Sequence, residues 1–238
     1  MEELIPEQIS SAKGRGFLRN RNTDCFSGRV VGAGGVFTTE QLLNIVQCSQ
    51  LYGSGKVAFT SRLTAEIVGI PYERIGEACE YFERADCGLM FGGTGPKIRP
   101  ITACKGTTCV FGSSDTQGLA ALLHQKYYLG WAHIPLPNKF KIAVGGCPNS
   151  CMKPSLNDFG IEARRIDGAA CFKIYVGGAW GRHTRVGTAL SRFVKQEELF
   201  SILDKVLGWY QANAQPRERL GAVIDRVGIN ALEAELAL

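Results

Sequence analysis

No stretch of the sequence approaches the ~20 consecutive apolar residues that a membrane-spanning helix needs, so no membrane partner is expected. The opening MEELIPEQISSAKGRG lacks the apolar core of a secretory signal, which makes the cytoplasm the expected compartment. Lysine and arginine are dispersed, and no nucleic-acid motif or basic run with interleaved aromatics occurs. Nucleic acid is therefore not an expected partner. The runs GAGG and GGTG do not fit G-x-G-x-x-G, and no flavin or nicotinamide motif is visible. There is no C-x2-C knuckle and no internal repeat.

Cysteine is what the chain does have. Nine occur in 238 residues, a length that allows a real core without disulfide staples, so reduced thiols are expected. Five of them, Cys25, Cys48, Cys79, Cys87 and Cys171, are scattered and read as small buried apolar groups. The other four fall in two clusters. Cys104 and Cys109 are separated by four residues in ACKGTTC, and Cys147 and Cys151 by three in GGCPNSC. Each cluster is a loop that follows a strand-like run, a rigid place from which thiolates can hold an inorganic cluster. Zinc is a rival reading, although structural zinc favours the shorter knuckle. Buried thiols are a third, poorly served by loops of Gly, Thr, Asn and Pro.

The net charge of +5 suits an anionic substrate or a cofactor rich in carboxylates. Residues 1–28 read as an irregular basic arm. A strand over 29–36 and a helix starting at the capping box Thr38/Gln41 follow, with Leu42, Leu43, Val46 and Ser49 as its inner face. Next come a strand over 56–60 and a helix opened by Pro71, with Ile75, Ala78, Cys79 and Phe82 inward. That alternation within residues 29–92 suggests a small ferredoxin-like α/β sandwich. The glycine-rich DCGLMFGGTGP marks a boundary, after which residues 93–238 form a second domain. There the pattern predicts strands over 97–103, 140–144, 159–165 and 171–176, the last two joined by an Asp167-Gly168 turn. Helices are expected over about 114–128, with Leu119, Leu122 and Leu123 inward, and over 196–212 and 217–227.

ACKGTTC, GGCPNSC and the later GGAWGRHTRVG together resemble the sirohaem and [4Fe–4S] signature of sulfite and nitrite reductases. RVVGAGGVFTTEQL, YGSGKVAFTSRLT and PRERLGAVIDRVG extend the resemblance over about residues 29–228. It implies an α+β fold: a ferredoxin-like half, then a sirohaem/[4Fe–4S]-binding α/β domain, one repeat of a unit that larger relatives carry twice. It further implies that Cys104, Cys109, Cys147 and Cys151 hold the cube, with the Cys151 sulfur shared with the sirohaem iron. Arg62 and the pair Lys139 and Lys141 would face the anionic substrate. The family's second arginine has no match, since Val31 stands at its position and Arg29 two residues before it. Arg99, Lys105, Arg182 and Arg185 are candidates for the sirohaem carboxylates, with Thr107, Thr108 and Asn149 as hydrogen-bond donors. His183 could serve as an acid or a carboxylate partner, whereas His124 and His133 receive no role.

The implied activity is six-electron reduction of sulfite to sulfide with electrons from an external donor such as a ferredoxin. Nitrite reduction to ammonia, or a non-catalytic electron-transfer protein carrying the same cofactors, are the alternatives. In two-copy relatives the lysine strand and the cysteine strand belong to opposite copies. Lys141 precedes Cys147 by six residues, about 20 Å when extended, so a homodimer sharing its sites is expected.

Overall fold

The structure, a computed structural model, describes residues 4–237. The chain divides into two compact units between Gly95 and Pro96. Both mix helix and sheet, in line with the expected α+β class.

The first unit runs through α1 (Pro6–Gly14), β1 (Phe17–Arg19), β2 (Cys25–Val31), α2 (Thr39–Tyr52), β3 (Lys56–Phe59), β4 (Ala65–Pro71), α3 (Ile75–Ala85) and β5 (Met90–Phe91). Its antiparallel sheet has the order β1-β2-β4-β3, with β5 also pairing with β2. Phe17, Phe26, Ile67 and Ile70 are fully buried and meet Ile45, Ala78 and Phe82 from the helices. The Thr38 hydroxyl accepts from the Gln41 amide at 3.1 Å, and Gln41 Oε1 accepts from the Thr38 amide at 3.0 Å. The expected capping box is formed.

Several expectations are corrected here. The supposed basic arm is helix α1 and strand β1, because its charged residues sit outward while Ala12 and Phe17 enter the core. Strand β4 was hidden in AEIVGIP; Pro71 is its last residue and also caps the 3-10 turn Tyr72–Arg74 that leads into α3, as expected of a residue opening that helix. On α2 the buried face is Ile45, Cys48 and Ser49, leaving Leu42, Leu43 and Val46 exposed. Of the scattered cysteines only Cys48 and Cys171 are buried, and Cys25, Cys79 and Cys87 are half-buried.

The second unit contains β6 (Thr102–Ala103), α4 (Thr116–Leu123), β7 (Ile142–Gly145), β8 (Phe159–Ile166), β9 (Ala169–Val176), β10 (Thr188–Ala189), α5 (Leu199–Asn213), α6 (Leu220–Val227) and α7 (Ile229–Leu236). The sheet order is β10-β9-β8-β7-β6, parallel from β6 to β8 and antiparallel beyond. Asp167 and Gly168 adopt φ of 49° and 82°, the left-handed pair that a tight two-residue hairpin requires. The expected strand over 97–103 survives only as β6 and an isolated Ile98–Phe140 bridge. Helix α4 gives way to a π-helical turn over His124–Leu129, and Leu122 points outward at 59 % exposure. Helix α7 was not foreseen, because Gly228 separates it from α6 by a single residue.

Candidate functional site

Both cysteine loops leave the same end of the sheet. β6 and β7 are parallel neighbours with Thr102 opposite Ala143 and Ala103 opposite Val144. Cys104 therefore follows β6 at once, and Cys147 lies just past β7. The two loops touch through glycine. A Cβ on Gly146 would stand 2.9 Å from Gly106 Cα, a backbone approach closer than a real Cβ makes, and 3.3 Å from Cys104 Sγ. The Gly146 amide donates to Cys104 Sγ at 3.2 Å, and the Ser113 amide to the Gly146 carbonyl at 2.8 Å.

Each loop is stiffened from within. Thr116 Oγ1 donates to the Cys104 carbonyl at 2.8 Å, and Thr107 Oγ1 donates to Asp115 Oδ1 at 2.6 Å. Asp115 caps α4 by accepting from the Gly118 amide at 2.9 Å, and its carboxyl is held below the usual range by Thr107 and then Gly118. In the second loop Ser150, between Cys147 and Cys151, adopts a left-handed φ of 53°, and Lys153, two residues past Cys151, one of 48°. Strained non-glycine backbone of this kind clusters at functional sites.

All nine cysteines are free; Cys104, Cys109 and Cys147 are half-buried and Cys151 is exposed. Among the described residues no three His, Cys, Asp or Glu side chains stand close enough to hold one metal ion. A cube spreads its thiolate ligands over four irons, and two open thiol pairs on adjoining strand ends, one sulfur already receiving an amide hydrogen bond, fit such a group.

The lysines lie on a basic ribbon in the same unit. Ile98 pairs with Phe140 in parallel, the Phe140 amide bonds the Lys97 carbonyl at 3.0 Å, and the Arg99 amide bonds the Phe140 carbonyl at 2.8 Å. Ile98 and Phe140 are buried, Phe140 lying against Tyr210 with ring centroids 6.0 Å apart. The period of two then sends Lys97 and Arg99, with Lys139 and Lys141, to the opposite face. Lys139 is lowered from the ordinary lysine value by burial, then by the nearby Arg219 and Arg99, with Asp158 opposing. Lys141 Nζ donates to the Trp180 carbonyl at 3.3 Å, and Lys153 Nζ sits 4.5 Å over the Trp180 ring. That tryptophan loop thereby bridges the lysine segment and the second cysteine loop.

Other candidates are placed differently. Lys105, Asn149, Arg182 and His183 are exposed on loops of the second unit. Arg185 is engaged by Asp225 at 2.6 Å and by the Gly177 carbonyl at 3.0 Å. Thr107 serves the α4 cap, and Thr108 Oγ1 donates to the Lys105 carbonyl at 3.3 Å, so both hydroxyl protons serve the loop itself. Arg62 lies in the first unit, in the β3–β4 turn, where its amide donates to Thr60 Oγ1 at 3.2 Å. Arg29 pairs with Glu66 at 2.6 Å, and Val31 is buried.

Sequence reasoning missed Asp158 and Arg219. Asp158 is 1 % exposed and takes a bidentate ion pair from Arg219 Nη2 at 2.9 and 2.7 Å. It also accepts from the Lys141 amide at 2.8 Å. A lone carboxylate amid the basic and apolar residues 139–159 was the available signal.

Residues 94–238 match the nitrite and sulphite reductase 4Fe-4S domain, and residues 19–85 the nitrite/sulfite reductase ferredoxin-like half domain. The chain belongs to the nitrite and sulphite reductase family. The resemblance read from the cysteine loops is borne out, and with it the α+β fold and a [4Fe–4S] cluster and sirohaem as the family's cofactors. This family member is 28 % identical over 204 residues to a Bacillus subtilis nitrite reductase [NAD(P)H], covering 85 % of the chain but 24 % of that relative. It is 26 % identical over 199 residues to an assimilatory-type sulfite reductase of Nitratidesulfovibrio vulgaris, covering 83 % of the chain and 86 % of that protein. The crystal structure of a dissimilatory sulfite reductase I superposes with a TM-score of 0.79 at 19 % identity, covering 89 % of this reductase-family chain and 69 % of the other. Among the described residues no helix is long and apolar enough to cross a membrane.

Proposed function

We propose that the chain is a sirohaem-dependent reductase that takes sulfite to sulfide, with six electrons from an external low-potential donor such as a ferredoxin. The observation that carries this reading is the exit of both thiol pairs from the ends of β6 and β7, in the unit that also carries the lysine ribbon. Cys104, Cys109, Cys147 and Cys151 would hold the cube, and Lys105, Asn149 and Arg182 are exposed polar groups able to meet tetrapyrrole carboxylates. When bound, the cluster and the sirohaem would supply the electrons for the reduction. Lys139 and Lys141 would neutralise the anion's charge and give protons to its oxygens as they leave as water. Nine free thiols suit the reducing cytoplasm, where we place the protein.

The test is consumption of sulfite, with sulfide formed, by purified protein and reduced methyl viologen, alongside the visible spectrum and iron and acid-labile sulfide content. A coloured protein that consumes neither anion would be an electron carrier. The similarity to a nitrite reductase supports the second reading, turnover of nitrite to ammonia, and a side-by-side rate comparison decides between the two.

We also infer a homodimer in which the lysines of one subunit serve the cofactor of the other. The support is that β7 separates Lys141 from Cys147, holding them at opposite ends of a strand. Mixing Cys151→Ser protein with the Lys139→Met/Lys141→Met double variant should then restore activity that neither shows alone. No restoration upon subunit exchange would refute the shared site.

A further inference from the structure

Strand β3 ends one side of the first unit's sheet and, among the described residues, pairs with β4 alone. The Thr60 amide donates to the Thr64 carbonyl at 2.9 Å, which fixes the alternation of the ladder. The backbone groups of Lys56, Ala58 and Thr60 face β4, and those of Val57 and Phe59 point off the sheet. Such an edge is a template for another strand, and proteins blunt it with proline, a bulge or clustered charge. β3 has no proline, its pairing with β4 has no register shift, and Lys56 is its one charged residue.

An apolar flank accompanies the open edge. Helix α2 packs on β4 and β3, and α3 on β5 at the other side of the sheet. The Tyr81 hydroxyl donates to Gln47 Oε1 at 2.8 Å and Arg74 Nη1 to the Leu51 carbonyl at 2.7 Å, so Gln47 and Leu51 mark the side of α2 that meets α3. At about 100° per residue, Leu42 and Val46 fall on the opposite flank, toward β3, and both are exposed. Leu43 points away from the sheet. Phe59 shares the helix-covered face with Val57, which packs into the core, yet Phe59 is 68 % exposed. It lies about 10 Å along β3, level with Val46 on the antiparallel helix.

We propose that a second copy of this chain docks here, β3 against β3 about a two-fold axis, with α2 packed on α2 above the joined sheets. A two-fold axis perpendicular to the sheet keeps both copies' helices on one face, and opposed residues must then share a face. Centring the axis on Ala58 meets that condition. It opposes Val57 to the partner subunit's Phe59, the two residues whose backbone groups are open, so each such pair can exchange both of its hydrogen bonds. The same pairs set an aromatic against a β-branched side chain on the helix side. Charge also suits self-pairing. The two Lys56 side chains would stand about 13 Å apart along the strands, beyond the Debye length of about 8 Å, and α2 has no charge but Glu40 near its start. Helices over adjoining strand pairs would lie about 10 Å apart, an ordinary packing distance. A partner recognised by charge would find nothing to read on this face. The interface uses the first unit alone, so it stands without the shared lysines inferred above and without any cofactor.

The test is the mass of the full chain as purified, by sedimentation equilibrium, with amide exchange at β3 read by peptide mass spectrometry. Wild type should sediment at twice the chain mass. Phe59→Lys and Val46→Glu each place a charge in the apolar flank and should sediment at the chain mass. Both positions are exposed, so circular dichroism should match wild type. Phe59→Leu keeps the apolar contact and should keep the dimer. Leu51→Lys, at an exposed position on the α3 side, should also remain dimeric. The peptide over 56–60 should exchange roughly tenfold more slowly in wild type than in Phe59→Lys, because pairing protects the outward amides. A monomeric wild type overturns the proposal. So does a Phe59→Lys protein that stays dimeric with unchanged exchange at β3; if its subunits still complement one another in activity, the shared site survives and this interface alone falls.

Discussion

The Gly146 amide nitrogen stands 3.2 Å from Cys104 Sγ, so the residue just before the second cysteine pair donates a hydrogen bond to the first cysteine of the other pair. Forty-two positions of sequence separate them, and the parallel pairing of β6 with β7 closes that gap. An amide aimed at a ligating sulfur tunes a cluster bound there.

Gly146→Ala is the direct probe of that contact. Its methyl would meet Gly106 Cα at 2.9 Å and Thr116 Cγ2 at 3.0 Å, which forces the loops apart. Iron and acid-labile sulfide per chain should fall by more than half (roughly, with ligation this dependent on loop geometry). Gly208→Ala is the control: nothing lies within 4 Å of its Cβ position on α5, so cluster content should hold and stability should rise by about 1 kcal/mol.

Serine substitution should divide the cysteines into two classes. Cys104→Ser, Cys109→Ser, Cys147→Ser and Cys151→Ser are each expected to abolish the charge-transfer colour and lower iron content. Cys25→Ser and Cys87→Ser, at half-buried positions of the first unit, should retain both. Cys48 is a packing case: burial pushes its thiol up to about 12, so it is an inert core group, and Cys48→Ser should cost stability while sparing the cluster. Loss of colour from Cys87→Ser would contradict this division.

How much of this was legible depended on whether a local rule decided the element. The Thr38/Gln41 capping box and the Asp167-Gly168 turn are set by neighbouring residues, and both were read correctly. The cysteine loops announced themselves because thiols in glycine-rich loops have few bland explanations. Tertiary choices were not legible. α2 carries apolar residues on two faces, and the sequence holds no sign that Ile45 and Cys48 win the core over Leu43 and Val46. The pairing of Arg185 with Asp225, forty residues on, has no local signature. Asp158 and Arg219 were invisible for the same reason, since an ion pair across sixty-one positions leaves no local pattern.

The register of α2 yields a stability contrast. Ile45 is 1 % exposed in the first core, so Ile45→Ala should cost about 2–5 kcal/mol in urea unfolding. Leu43 is 58 % exposed, and Leu43→Ala should stay within about 0.5 kcal/mol of wild type. Equal losses would mean that the outer face is covered in solution and not bare.

Acid sensitivity is the last expectation, and His124 sets its sign. The imidazole is 8 % exposed, stacks on Tyr128 at 4.9 Å, and has its Nδ1 buried without a hydrogen bond. Burial lowers its folded value below the ordinary 6.5 or so, whereas the unfolded chain retains that ordinary value. Below about pH 6.5 the unfolded state therefore binds more protons, and stability falls as the pH is lowered. Above that value the contribution is fully present. The slope from this group can approach about 1.4 kcal/mol per pH unit. Urea midpoints at pH 7.5, 6.5 and 5.5 should decline for the wild type and lie closer together for His124→Leu, which removes the titrating group while retaining apolar bulk. Since His124 opens the turn that follows α4, whose Asp115 cap holds Thr107 of the first cysteine loop, iron release should set in over the same interval. A His124→Leu protein that loses stability and iron as steeply as the wild type would assign the acid transition to other groups.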